Sequence, residues 1–267
     1  MTRTLRTRVT TLCAAALLGG CAACSSGEGR ESEDIGANGS NTEGTGIQGN
    51  GVSALTARQI ADKAEDSLLR ARSLHLTLRP QDPPGADIRT AHDLVLDRDG
   101  NCNGSSLIGG GTGKSWIVKR GEKVWFKFSD EFWRNEVPNG DALADLLQGR
   151  YVSGTTSSSL LRAHSKVCDL PRWQDDIAAD AFKDQDLRKG ARTTVGGLPA
   201  IALTRTGLTV YVATQGKPYP LKVVRKDSSG ATTTTTLTDY DKPVPPQTPS
   251  ANESVDVAEL DALDPTP

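Results

Sequence analysis

The residues with the clearest chemistry stand near the start of the chain. Leu18-Gly19-Gly20-Cys21 sets an aliphatic residue and two small residues ahead of a cysteine, the pattern at which a bacterial lipoprotein is acylated on the thiol and cut. On this reading Cys21 becomes the first residue of the mature chain and carries fatty acids. Two or more acyl chains hold a protein stably on a bilayer, where one binds only marginally. Cys24 is a poorer acceptor, because Cys21 occupies the place where an aliphatic residue is needed. An ordinary secretory signal with a chance cysteine near the cut is the competing account.

Three further cysteines need an assignment. Cys13 leaves with the leader, whereas Cys102 and Cys168 remain as one pair far apart in the sequence. In an oxidising compartment such a pair predicts a disulfide closing a long loop. Two separate buried thiols are the alternative. A metal site fits poorly, since neither cysteine has a CxxC partner and the three histidines are scattered.

Other constellations fail on inspection. Ile108-Gly109-Gly110-Gly111-Thr112-Gly113-Lys114-Ser115 resembles a phosphate-binding loop, but the position that requires the first glycine is Ile108. The following Trp116–Lys119 reads as strand where that motif needs a helix. Asp97-Arg98-Asp99-Gly100-Asn101 lacks the glycine position and bidentate glutamate of a calcium loop and reads as a turn. No Gly-x-Ser-x-Gly elbow occurs, and His75, His92 and His164 lack local partners for nucleophilic or metal chemistry. The pairs Asp184/Asp186 and Asp239/Asp241 read as solvated surface. Loss of Arg3, Arg6 and Arg8 with the leader moves the formal charge from −2 to about −5, with no basic stripe for nucleic acid. No catalysis, cofactor, metal, nucleotide or nucleic acid is expected.

The remaining candidate is apolar. Trp116, Trp125, Phe126, Phe128, Phe132 and Trp133 crowd one stretch, either gripping a ligand or forming ordinary core under a helical insert. Leu76, Leu94, Leu96, Val118, Val124 and Phe126 are the expected lining of a cavity able to take an acyl chain.

These residues need elements to position them. Arg3, Arg6 and Arg8 precede Val9–Leu18, an apolar run too short to span a bilayer, so residues 1–20 read as a signal peptide. Residues 21–53 are rich in Gly, Ser, Asn and Glu and read as a disordered tether. Residues 54–245 form one domain, and 246–267 a Pro-rich, acidic tail of partial order in which Val255, Leu260 and Leu263 could dock. Thr56 with Gln59 makes a capping box, and Ile60, Ala64, Leu68 and Ala71 continue at helical spacing to Arg72. Period-two alternation follows at Leu74, Leu76 and Leu78 and again at His92, Leu94 and Leu96, with a hairpin of Ser115–Lys119 and Lys123–Phe128. Short helices are expected at Asp130–Arg134, Asp141–Leu147, Ser157–His164 and Asp175–Lys183. Further strands are expected at Ala191–Thr194, Ala200–Arg205, Leu208–Ala213, Leu221–Arg225 and Ala231–Tyr240. Tight hairpins imply an antiparallel sheet. The class is α+β, a strongly curved antiparallel sheet (half-barrel) with helices across its concave face.

The helix ALTARQIADKAEDSLLRARSLHLTL, the hairpin KSWIVKRGEKVWFKFSDEFWRN, and LQGRYV, VGGLPAIALT, LTVYVATQGKPYPLKV and LTDYDKPVPPQ together resemble actinobacterial lipoproteins of the LppX/LprA/LprF/LprG type. These are related in fold to the periplasmic carrier LolA. The resemblance covers about residues 54–245, and Gly216-Lys217-Pro218-Tyr219-Pro220 is its most distinctive part. It implies a half-barrel with helices over the concave face and a cavity that carries lipids or lipidated molecules. The Cys102–Cys168 pair and the low aromatic content depart from a large greasy cavity, and no ligand contact carries over by motif. The expected function is a membrane-anchored envelope protein, on the extracytoplasmic face, that binds or carries lipid or acylated molecules. The alternative is a non-catalytic scaffold or sensor lipoprotein whose cavity is filled.

Overall fold

The computed structural model describes residues 49–81, 90–108, 113–136, 140–183 and 186–261. The leader, Cys21, the tether up to residue 48, the glycines at 109–111 and Leu263 lie outside them. Described by itself, the unit from Gly46 onward is α+β: its described residues form an open, curved sheet of twelve strands with six α-helices.

Helix α1 (Ala57–Arg70) starts where the capping box predicts. The Gln59 backbone N–H donates to the Thr56 hydroxyl at 3.3 Å, and the Thr56 N–H donates back to Gln59 Oε1 at 3.0 Å. Ile60, Ala61, Ala64 and Leu68 form its buried face. Its last carbonyls would be orphaned in the core. Gln174 Nε2 donates to Leu68 O at 2.6 Å and Ala71 O at 3.0 Å, and Arg98 donates to Ala71 O at 2.9 Å. Gln174 sits on α5 (Leu170–Ala181), which begins five residues before the expected Asp175. Asp169 caps it by accepting from the Arg172 N–H at 3.1 Å, and Pro171 is tolerated in a first turn that has no hydrogen bond to lose.

The strands are β1 (Ser73–Gln81), β2 (Ala91–Asp97), β3 (Cys102–Ile108), β4 (Gly113–Arg120), β5 (Lys123–Phe128), β6 (Tyr151–Thr155), β7 (Arg188–Val195), β8 (Leu198–Arg205), β9 (Leu208–Ala213), β10 (Pro220–Lys226), β11 (Thr232–Thr238) and β12 (Ser254–Asp256). Their spatial order is β12-β6-β5-β4-β3-β2-β1-β11-β10-β9-β8-β7. Between β5 and β7 lie α2 (Asp130–Glu136), α3 (Gly140–Leu147) and α4 (Ser159–Ser165), then a 3₁₀ turn at Lys166–Cys168 and α5. α6 (Val257–Asp261) follows β12.

Register gives the sheet an inner face. Leu237, Leu76, Leu94, Gly104, Ile117, Phe126, Val152 and Val255 stand opposite one another across eight strands. A Cβ on Gly104 would collide with the Asp93 carbonyl oxygen and the Leu94 Cα. The row therefore needs glycine at that point, where β2 and β3 approach closely. Most of this row joins Ile60, Ala64 and Leu68 of α1 in one continuous core.

Three expectations change. The sheet is not wholly antiparallel, because β12 pairs with β6 in parallel. The long connection from β11 carries the chain past the Arg120 guanidinium, which donates to Pro245 O and to Gln247 O, and a crossing of that length allows either sense. The tail is thereby part of the body: Val255 and Val257 are buried in the main core. At the other end the body starts before residue 54. Val52 is buried, and the Asn50 amide donates to Ala213 O at 3.0 Å and Gly216 O at 3.1 Å.

Candidate functional site

A cavity of about 330 Å³ opens on the inner face, over β2 to β5. Its origin is in the side chains of one cross-strand row. Leu78, His92, Ser106, Ser115 and Phe128 stand opposite in turn. Where the neighbouring row carries Leu94, Gly104 and Ile117, this one carries His92 and the paired serines Ser106 and Ser115. Their short side chains leave room that leucines would fill. Ser115 Oγ donates to the Ser106 carbonyl at 3.4 Å, and Ser106 Oγ lies 2.8 Å from His92 Nδ1. Both serines are buried, and their hydroxyls are engaged by the His92 ring and the Ser106 carbonyl.

Aromatic rings wall the space. Phe126 lies 4.3 Å from the His164 ring at 15° between planes, and Phe128 lies 4.1 Å from Phe132 at 17°. Phe126 and Phe128 meet edge to face at 4.6 Å, the arrangement that the ring quadrupole favours. Phe132 comes from α2, and it can seat against β4 because Gly113 has no side chain: a Cβ there would come within 2.7 Å of the ring. Ala163 and His164 of α4 and Val167 of the 3₁₀ turn line the opposite side.

This roof is leashed to the sheet. Cys102 at the start of β3 and Cys168 at the end of the 3₁₀ turn form a disulfide, with Cα atoms 5.4 Å apart. Trp173 Nε1 donates to Val167 O at 2.8 Å, and its ring meets His92 edge-on at 5.3 Å. Burial pushes both His92 and His164 below the ordinary imidazole value, so each is neutral at physiological pH. Among the described residues no carboxylate, ammonium or guanidinium lines the cavity. Such a site can bury apolar surface and offer a neutral imidazole as a hydrogen-bond partner. Among the described residues no group of histidine, cysteine or carboxylate is set to hold a metal. No described helix is long and apolar enough to cross a membrane.

Of the six expected lining residues, Phe126 lines the cavity. Leu76, Leu94, Leu96 and Val124 share its face but are completely buried in the packed core. Val118 takes the outer face: it pairs with Trp125, whereas its neighbour Ile117 pairs with Phe126. Strand alternation forbids Val118 and Phe126 from sharing a face. The same alternation divides the aromatic cluster, with Phe126 and Phe128 inward and Trp116 and Trp125 outward. Ser106, Ser115, Ala163 and Val167 carried no signal in the sequence beyond small or ordinary apolar character. His75 lies on the outer face, 2.6 Å from Asp93. Asp241, expected as free surface, accepts from Lys217 at 2.8 Å, Tyr219 at 2.7 Å and the Arg72 N–H at 2.9 Å.

No protein-family model matches the chain, and no curated protein does. Among solved structures it is similar to LprF from Mycobacterium bovis, with 15% identity, coverage of 73% of this chain and 97% of that one, and a TM-score of 0.49. It is also similar to the Mycobacterium tuberculosis lipoprotein LppX, with 9% identity, coverage of 72% and 98%, and a TM-score of 0.41. A LolA superfamily protein from Nitrosomonas europaea matches with 13% identity, coverage of 72% and 96%, and a TM-score of 0.26.

Proposed function

We propose that this chain is a lipid-anchored envelope protein that holds an acyl chain in the cavity over β2 to β5. The observation that carries the reading is the cavity itself, walled by Phe126, Phe128, Phe132 and His164 and, among the described residues, without a charged lining group. At roughly 30 Å³ for a water-sized group, about 330 Å³ holds about ten such groups, which suits one acyl chain and not two. Each buried methylene contributes about 0.8 kcal/mol, so such a chain gains several kcal/mol before ordering costs. The neutral imidazole of His164 lines the cavity as a partner for a carboxyl or hydroxyl head. The anchor is Cys21, and the protein acts without catalysis at the extracytoplasmic face of the cell membrane.

The test is binding of a dansyl-labelled medium-chain fatty acid, read by fluorescence enhancement. Ala163 is exposed on α4 and lines the cavity, so Ala163→Trp fills the space without disturbing the core. Saturable enhancement in the parent chain and its loss in the variant are expected. No enhancement, or equal binding by Ala163→Trp, refutes the reading. The anchor is checked separately by fatty-acid labelling that Cys21→Ser abolishes.

A further inference from the structure

We propose that the part of the outer face of β4 and β5 around Lys114, Trp116 and Lys127, behind the cavity, docks onto an anionic bilayer surface; at the other end of that face Val118 and Trp125 are buried. The inference does not depend on what the cavity holds. β4, β5 and β6 are eight, six and five residues long, and they carry Lys114, Lys119, Arg120, Lys123 and Lys127 with no acidic residue. The chain as a whole is acidic, with 33 Asp and Glu against 31 Lys and Arg. Lys119 belongs to the inner face and donates to Gly100 O. Lys114 and Lys127 face outward around Trp116, which stands opposite Lys127 in the register.

Their ammonium groups lie over aromatic faces. Lys114 Nζ is 4.9 Å and Lys127 Nζ 4.7 Å from the centre of Trp116, and Lys127 Nζ is 4.8 Å from the centre of Tyr151. Cation–π contacts occur about once per 70–80 residues in proteins generally; here three share two rings, Trp116 on β4 and Tyr151 on β6, with β5 between them. Leu107, opposite Lys114, adds exposed apolar surface. Of the nearby carboxylates, Asp93 pairs with His75 and Arg79, and Glu253 accepts from Ser250, which together with the charge of Lys127 holds it below its ordinary value. Amphipathic rings bracketed by lysines match the headgroup region of a bilayer, where the rings enter the interface and the ammonium groups meet lipid phosphates. The positive charge on this face complements anionic lipid.

The experiment uses the whole chain carrying Cys21→Ser, so that no acyl anchor masks the contact. Sedimentation is measured with phosphatidylcholine vesicles and with vesicles that also contain phosphatidylglycerol. Partition onto the anionic vesicles, absent on neutral ones and weakened by salt, is expected. Each lysine near an anionic surface is worth a factor of about five in partition, so Lys114→Gln with Lys127→Gln lowers it about 25-fold. Lys222→Gln with Lys226→Gln on β10 removes equal charge elsewhere and leaves it unchanged. Thermal melts confirm that both pairs of variants fold. Failure to bind anionic vesicles, equal binding to neutral ones, or equal loss in the β10 variant overturns the proposal.

Discussion

Removing the disulfide tests how the roof of the cavity is held. The bond between Cys102 and Cys168 closes a loop with a sequence separation of 66. In the chain-entropy model a closed loop of that size stabilises the folded state by about 4 kcal/mol. Domains of this kind are stable by about 5–15 kcal/mol in total, so the bond represents a large share. Cys102→Ala with Cys168→Ala should lower the unfolding free energy by about 4 kcal/mol. Urea titration followed by circular dichroism and tryptophan fluorescence measures it, and the urea slope should rise because the unlinked chain exposes more surface. The local effect is sharper than the global one. Val167 lies one residue from Cys168 and His164 four, so loss of the link frees the roof while leaving the β4–β5 floor intact. Fatty-acid probe affinity should change in the double variant even at temperatures where it is fully folded. A loss of stability under about 1 kcal/mol, or recovery of both thiols free from the native protein, refutes the reasoning.

Two further outcomes follow from other contacts. Asp241 is held down from 3.8 to about 2 by the Arg72 N–H, the Lys217 ammonium and the Tyr219 hydroxyl. A depressed carboxyl stabilises the fold above its unfolded pKa, and that share is lost as pH falls from about 4 toward 2. With a side chain 31% exposed, the contribution discounts to about 1 kcal/mol. Asp241→Asn should therefore cost about that much at neutral pH and flatten the acid limb of a stability–pH profile; an unchanged acid limb would contradict the assignment. Deleting residues from Ser250 onward removes β12 and the buried Val255 and Val257. At about 1.5–3 kcal/mol for each buried valine, the loss is about 3 kcal/mol or more. It also bares the edge of β6, so light scattering should show association; a monomer of parent stability would show that the tail is dispensable.

How much could be read from the sequence depended on where the information for each element lies. α1 carries its own cap and its own apolar stripe, and it falls where expected. The β4–β5 hairpin and the β7–β8 and β8–β9 turns are also local, since alternation and Gly-containing turns specify them without distant partners. β3 has no such pattern. Its inward positions are Cys102, Gly104 and Ser106, too small to produce an alternation, and β2 and β4 supply the apolar surface on either side. β12 is a strand only because β6, about a hundred residues earlier, offers an open edge. The cavity depends on register: Ser106 facing Ser115 is a fact about two paired strands, and neither serine marks itself in one dimension. Cys102 and Cys168 could be paired because the choice was among few cysteines.

Val118 stands on the outer face of β4, opposite Trp125 of β5, and not on the cavity face. Both strands use their two faces for opposite chemistry. Ser115 and Ile117 face the cavity with Phe126 and Phe128, while Lys114 and Trp116 face outward with Lys127. A one-residue slip of β4 would exchange the sets, burying lysine and exposing isoleucine, and burial of an unpaired ammonium costs far more than the apolar surface gains. The charged face therefore helps to fix the register that creates the cavity. It follows that Lys114 and Lys127 have a structural role whatever surface they meet. Effects of their substitution on vesicle binding carry meaning only beside an unchanged melt and unchanged probe affinity. If probe affinity fell together with vesicle binding, the register would have moved, and the inner and outer faces would have to be treated as a single site.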